Sequence, residues 1–236
     1  GISSVQKPID QTSARAALMA SAIAVGILGA PALVWAGTFT APPGLAPGQA
    51  YRLVFETSTT TEATSTAIST YNSFVTAAAG NNSALPSTTW AAIASTADVD
   101  AVTNTACIPA GCAADPIYLV DGTEVAASLA DFFAGTLLNA IDLDESGASN
   151  GGYAWTGSNS DGTADSGATL GTADPVIGIP GAGNGLYNFL LDQTDLYSLY
   201  AISAPIEVTG VPEPASWALL LTGTMLLAAR RWRRHV

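Results

Sequence analysis

Histidine and lysine are almost absent from this sequence. The 236 residues include one histidine, His235, and one lysine, Lys7, and neither lies between residues 37 and 210. Histidine is the usual general base and a common metal ligand, while lysine forms Schiff bases and contacts phosphate in P-loops. For residues 37–210 this absence excludes Ser-His-Asp and Cys-His catalysis, Schiff-base chemistry, P-loop nucleotide binding and histidine-ligated metal sites.

Positive charge is equally scarce in the same segment. Residues 37–210 contain one cation, Arg52, and 17 of the 19 acidic residues, so their formal net charge is −16. Such a surface repels nucleic acid, heparin-like polymers and anionic lipid, and we predict that none of them is a partner. Two carboxylates could in principle serve a glycosidase. No pair of acidic residues lies in a sequence context that indicates catalysis. We therefore expect the acidic residues to be solvated surface and turn residues, and we expect the protein not to be an enzyme.

The N-terminal residues have the pattern of an export signal. Lys7 and Arg15 supply positive charge, residues 16–30 are apolar, and a small-x-small sequence ends at Ala36 before Gly37. This pattern predicts export by the Sec machinery and cleavage between Ala36 and Gly37 by signal peptidase. The alternative is a membrane helix that is retained.

The C-terminal residues combine three features in a fixed order. A Pro-Glu-Pro tripeptide at residues 212–214 precedes an apolar run at 215–229, and four arginines follow it. The run would span about 22 Å as a helix, which is short of the hydrocarbon thickness of about 30 Å unless flanking side chains help. We predict one transmembrane helix at 215–229, with the arginines on the cytoplasmic side of the inner membrane.

This order resembles the PEP-CTERM sorting tail of exported Gram-negative proteins. The residues that carry the resemblance are Val211, Pro212, Glu213 and Pro214, together with Arg230, Arg231, Arg233 and Arg234. The resemblance implies that an exosortase processes the tail near Pro-Glu-Pro after export across the inner membrane, delivering the protein to the cell surface or extracellular matrix. The alternative is an ordinary C-terminal membrane anchor.

The body of the chain predicts short strands, two helices and long loops. Residues 50–56 and 199–202 read as strands, and apolar residues recur at helical spacing over 67–80. A second, short helix is predicted at 125–138. This pattern indicates the α+β class. The predicted division is a signal peptide at 1–36, a linker at 37–49, an exported domain at 50–208 and a sorting tail at 209–236.

Aromatic residues and turns of the body resemble endostatin-like domains, which have a C-type-lectin-like fold. The resemblance rests on the segments Trp90 to Thr96, Pro116 to Leu119, Ala130 to Gly135, Trp155 to Ser158, Asp161 to Thr163 and Leu199 to Ile202. It implies a lectin-like α+β domain. The family's disulfide cysteines are missing near Leu170 and Ala201, its basic face is replaced by acids, and the sugar-binding motifs of calcium-dependent lectins are absent.

The body of the chain also contains a pair of cysteines and an acidic loop motif. Cys107 and Cys112 lie in one short loop, and an oxidising compartment after export favours a disulfide between them. Two cysteines without histidine make an incomplete zinc site. Asp142, Asp144 and Ser146 match the start of a calcium loop, but residue 153 is tyrosine where an EF-hand has its bidentate glutamate. A Ca²⁺ site of lower affinity is the alternative to the plain Asx-type turn that we favour.

We therefore expect a non-enzymatic exported protein without a cofactor, sorted by an exosortase and associated with extracellular polysaccharide. The alternative is a calcium-dependent glycan binder, or a carbohydrate-active enzyme that uses carboxylates, on the same fold.

Overall fold

The computed structural model describes residues 39–106, 114–181 and 185–209. The helices in these ranges are α1 (Ile68–Gly80), α2 (Ala101–Asn104) and α3 (Leu129–Phe133). The strands are β1 (Ala50–Glu56), β2 (Trp90–Ala92), β3 (Ile117–Leu119), β4 (Glu124–Ala126), β5 (Ala154–Trp155), β6 (Val176–Gly178), β7 (Phe189–Leu190), β8 (Ser198–Ser203) and β9 (Ile206–Glu207).

The sheet is built around its two longest strands, β1 and β8. The strand order is β4-β3-β1-β8-β5-β6-β7, while β2 also pairs with β8 and β9 with β1. β1 runs antiparallel to β8, with Glu56 opposite Tyr200, and parallel to β3. The pairing is therefore mixed, and residues far apart in sequence meet at the centre of the sheet.

Side chains of β1 alternate between two apolar layers. Leu53 and Phe55 are fully buried in the layer that includes α1, whereas Val54 is fully buried in the layer that includes α3. Burying each large apolar side chain stabilises the fold by about 1.5–3 kcal/mol. Because both faces of the strand are covered, a charged side chain in β1 has no route to solvent except at the strand ends.

The helix α1 covers the first layer. Tyr71, Val75 and Ala78 are its buried apolar residues at helical spacing, which places them against the sheet. The Tyr71 hydroxyl donates to the Ser65 carbonyl at 2.8 Å and accepts from the Ser65 N–H at 3.0 Å. The backbone just before the helix is thereby fixed, although no side chain caps its N-terminus.

The prediction of an α+β, C-type-lectin-like domain is wrong. The fold is mixed and sheet-rich, with 14% of the described residues in helices and 25% in strands or isolated bridges. The predicted helix at 125–138 shows the reason: its first residues form β4, and only Leu129–Phe133 is helical. Ser128 starts that helix by accepting a hydrogen bond from the Asp131 N–H at 3.0 Å. The helix is therefore shorter than predicted, because Val125 and Ala126 belong to the sheet.

The same fold prediction included a membrane helix at 215–229, and the described part of the fold supplies none. No helix in the described ranges has the length and apolar character needed to cross a bilayer. The longest of them, α1, has 13 residues. Residues 215–229 lie outside the described ranges, as do residues 1–36 of the predicted signal peptide.

Candidate functional site

Most of the residues singled out from the sequence lie outside the described ranges. They are Val211, Pro212, Glu213 and Pro214 of the sorting motif, Arg230, Arg231, Arg233 and Arg234 of the basic end, Ala36 and Gly37 of the cleavage site, and Cys107 and Cys112 of the disulfide. Their roles in sorting, topology, cleavage and cross-linking stay predictions.

The predicted calcium loop is described, and its central acid stabilises a turn. Asp144 Oδ1 accepts hydrogen bonds from the Ser146 N–H at 2.8 Å, the Ser146 hydroxyl at 2.6 Å and the Ala148 N–H at 2.9 Å. Burial raises the pKa of Asp144, but these bonds and one from the Gly147 N–H outweigh it, so the net pKa lies below its ordinary value. The Asx-type turn is confirmed, and within it Asp144 Oδ1 is occupied by the N–H and hydroxyl of Ser146.

A second turn of the same type follows at Asp161. Its Oδ1 accepts from the Thr163 hydroxyl at 2.6 Å and the Thr163 N–H at 3.0 Å, and these bonds lower the pKa of Asp161. Across the described ranges, no three or more His, Cys, Asp or Glu side chains are grouped to hold a metal ion. The acidic turns at Asp144 and Asp161 are therefore explained by local hydrogen bonding.

Glu56 is a functional candidate that the sequence did not indicate. It ends β1, and its N–H donates to the Leu143 carbonyl at 2.8 Å. The loop at residues 142–152, which we call the acidic loop, therefore crosses the strand end at Glu56. The side chain is fully buried, and neither carboxylate oxygen has a hydrogen-bond partner. The register of β1 forces this position, because Glu56 lies on the same face of the strand as buried Val54.

The surroundings of Glu56 shift its titration strongly. Burial, and less strongly the nearby negative charge of Asp142, raise the pKa of Glu56 from 4.5 to a net value of about 7. The Ser198 hydroxyl and the Gly152 N–H face the carboxylate and lower the pKa, but neither reaches full hydrogen-bonding geometry. Glu56 is thus poised between its neutral and charged forms near neutral pH. Its complete burial keeps a polymeric substrate away from the carboxylate.

Arg52 has a structural role at the other end of the strand. The side chain is 3% exposed, and its Nη1 donates to the carbonyls of Thr105 at 3.1 Å and Ser203 at 3.3 Å. Its Nε lies 4.0 Å from the Asp115 carboxylate. A cavity of about 140 Å³ adjoins it. The single cation of residues 37–210 therefore ties β1 to β8 and to the end of α2.

Four aromatic rings form a cluster that leads from the core to the surface. We define the aromatic cluster as Tyr153, Trp155, Phe189 and Tyr197. Tyr153 lies 5.2 Å from Phe189 and 5.7 Å from Tyr197, and Tyr197 lies 5.1 Å from Trp155, as distances between ring centroids. Trp155 is fully buried, whereas Tyr153 is 40% exposed and the other two are half-buried. The Trp155 Nε1–H donates to the Thr61 carbonyl at 2.9 Å, which fixes the base of the cluster.

The position of the cluster suits contact with an external ligand. Phe189 belongs to β7, which ends the path of the sheet, and the exposed ring of Tyr153 packs against it. Exposed aromatic and apolar side chains that adjoin one another on a soluble surface mark interaction sites. Nothing in the sequence around these residues signalled the cluster, since its members lie in or directly before strands that meet only in the fold.

Comparison with known proteins gives no family for the chain. No model of a known protein family matches it, and no curated protein is significantly similar to it.

Proposed function

We propose that this chain is an exported, non-enzymatic surface protein that an exosortase sorts through its C-terminal tail. The observation that carries the proposal is the order of Val211-Pro212-Glu213-Pro214, the apolar run at 215–229 and four arginines. The predicted export signal before Gly37 supports it, because an exosortase substrate must first cross the inner membrane. The absence of histidine and lysine from residues 37–210 supports a role without catalysis.

Substitution of the motif glutamate tests the sorting proposal. In the native host, the Glu213→Gln variant should accumulate as an unprocessed precursor, because the enzyme reads the proline-flanked glutamate. Glu207→Gln is the matched control, since it removes an exposed acid six residues upstream and should be processed like the wild type. Immunoblots of membrane and surface fractions report the two forms. Equal processing of Glu213→Gln and wild type would contradict recognition of this motif.

The partner that we propose is a neutral extracellular polysaccharide, bound at the aromatic cluster. Sugar rings carry C–H groups on their faces, and these pack on aromatic rings while the hydroxyls at their edges bind water or protein. Tyr153 offers an exposed ring and a hydroxyl together, which suits such a partly polar ligand. The formal charge of −16 on residues 37–210 repels anionic polymers, and this favours a neutral one.

Affinity gel electrophoresis tests the choice of partner. A neutral β-glucan cast into a native gel should retard the full chain, whereas anionic alginate should not. Tyr153→Ala and Phe189→Ala should each lose most of the retardation. Leu138→Ala is the control, because Leu138 is 60% exposed and is not part of the aromatic cluster. Unchanged retardation of Tyr153→Ala, or stronger retardation by alginate, would contradict binding at this cluster.

A further inference from the structure

The carboxylate of Glu56 is buried in the fold without a compensating charge. Both of its carboxylate oxygens are buried without a hydrogen-bond partner. An ionised carboxylate in such a place costs several kcal/mol unless a cation or strong donors compensate it. Arg52 is the only cation of residues 37–210, and its contacts are with Asp115 and two backbone carbonyls. No side-chain cation of residues 37–210 is therefore left to compensate Glu56.

Glu56 Oε1 and Asn150 Oδ1 both lie next to Gly152. A Cβ atom placed on Gly152 would lie 3.2 Å from Glu56 Oε1 and 3.9 Å from Asn150 Oδ1, so both oxygens border the space beside this glycine. The Asn150 Nδ2 donates to the Thr57 carbonyl at 2.9 Å, which fixes the direction of Oδ1. The Asn150 N–H also donates to the Asp142 carbonyl at 2.7 Å, which closes the loop.

The second carboxylate of this site is Asp142. Its charge acts on Glu56, and it lies at the exposed surface, as does Gly152. One side of the site is therefore buried and the other is open to solvent, which gives an ion a way in. Two carboxylates and an amide oxygen together make an acidic, oxygen-rich group of ligands, and their mutual repulsion is relieved by a bound cation or, without one, by protonation of Glu56.

We propose that Glu56, Asp142 and Asn150 bind one Ca²⁺ ion. Calcium accepts six to eight oxygen ligands in flexible geometry at about 2.3–2.6 Å, so water and backbone carbonyls can complete the coordination. Magnesium requires a near-ideal octahedron at about 2.0–2.1 Å and gives up water reluctantly, so a site with one fully buried carboxylate suits it less. Asp144 and Ser146 are not part of this proposed set of ligands. Asp144 Oδ1 accepts hydrogen bonds from the N–H and hydroxyl of Ser146 within their own turn.

Thermal unfolding of the full chain, purified in mild detergent and freed of metal with a chelator, tests the proposal. Millimolar Ca²⁺ should raise the Tm by about 5 °C, and the same concentration of Mg²⁺ by much less. Glu56→Gln keeps the shape of the side chain and should abolish the response. Asp142→Asn should weaken Ca²⁺ binding at least about tenfold by calorimetry, because it removes a charged ligand. Asp161→Asn is the control, since it alters a similar acidic turn and should respond like the wild type.

Each possible result decides the proposal. A wild-type Tm that is unchanged at 10 mM Ca²⁺, about a thousand times the dissociation constant of a sensor-type site, would overturn it. A Ca²⁺ response retained in both Glu56→Gln and Asp142→Asn would place the ion elsewhere, and an equal response to Mg²⁺ would overturn the assignment to calcium. If Glu56→Gln does not fold, Asp142→Asn still decides, because its side chain is exposed. Terbium emission sensitised by Tyr200, the cross-strand neighbour of Glu56, gives a second readout that Tyr200→Phe should reduce.

Discussion

Replacing Glu56 by glutamine should remove a pH dependence of stability that the wild type has in the absence of metal. The fold favours the protonated carboxyl, because its pKa is raised from 4.5 to about 7. The stabilisation from this proton is complete below pH 4.5 and is lost as the pH rises through about 7. The difference between the two pKa values corresponds to about 3 kcal/mol at most, or roughly 8 °C in Tm.

Other titrating groups near Glu56 leave this pH window clear. The pKa of Tyr200 is raised well above 10 by burial and by the charge of Glu56, so the phenol stays neutral. The pKa values of Asp144, Asp161 and Asp192 lie below their ordinary 3.8, so the stability that these ionised acids contribute is lost only at lower pH. A change in stability between pH 5 and pH 8 therefore reports mainly on Glu56.

The assay is urea unfolding of the full chain in chelator at pH 5 and pH 8. Wild type should be less stable at pH 8 by up to about 3 kcal/mol, whereas Glu56→Gln should have nearly equal stability at both. Glu62→Gln, which removes an exposed acid, should keep the wild-type dependence. A wild type of equal stability at both pH values, or a Glu56→Gln variant with the wild-type dependence, would refute a buried, uncompensated carboxylate.

Two further substitutions test the turns around the sheet. Gly157→Ala should destabilise the fold by about 2–4 kcal/mol, since the added Cβ would lie 2.5 Å from the Leu170 N and the Ser95 O. Gly151→Ala is the control: there is open space around this glycine, so the Tm should change little. Asp144→Ala should lower the free energy of unfolding by about 1–2 kcal/mol and Asp144→Asn by less than half of that, because asparagine keeps the acceptor oxygen. Urea unfolding measures both pairs, and equal losses within either pair would contradict the geometry.

Local sequence patterns predicted the central elements of the fold well. The predicted strand at 50–56 is β1, the predicted helix at 67–80 is α1 with a one-residue difference, and the predicted strand at 199–202 lies within β8. These segments have strong periodicity and large apolar residues, so local preference and burial agree. The helix predicted at 125–138 is present only as α3, at Leu129–Phe133, because the first residues of the predicted range pair with β3, and strand pairing depends on residues distant in sequence.

The candidate sites were harder to predict from the sequence than the helices and strands, because they depend on the tertiary structure. One face of β1 carries Arg52, Val54 and Glu56, and the other carries Tyr51, Leu53 and Phe55. The alternation in the sequence does not reveal that both faces are covered in the fold. The signal that could have found Glu56 is its place on the same face as Val54, at the end of a strongly apolar strand. The aromatic cluster had no such signal, because β5, β7 and β8 bring Tyr153, Phe189 and Tyr197 together from separate parts of the chain.

The intact mass of the mature surface protein from its native host tests the central claim most directly, because it reports both chain ends and any attached group. Sorting by an exosortase predicts a protein that begins at Gly37 and has lost the segment from the apolar run to Val236, and it predicts an uncleaved C-terminus in cells without the enzyme. A mature protein that retains His235 and Val236 while the exosortase is present would contradict the claim.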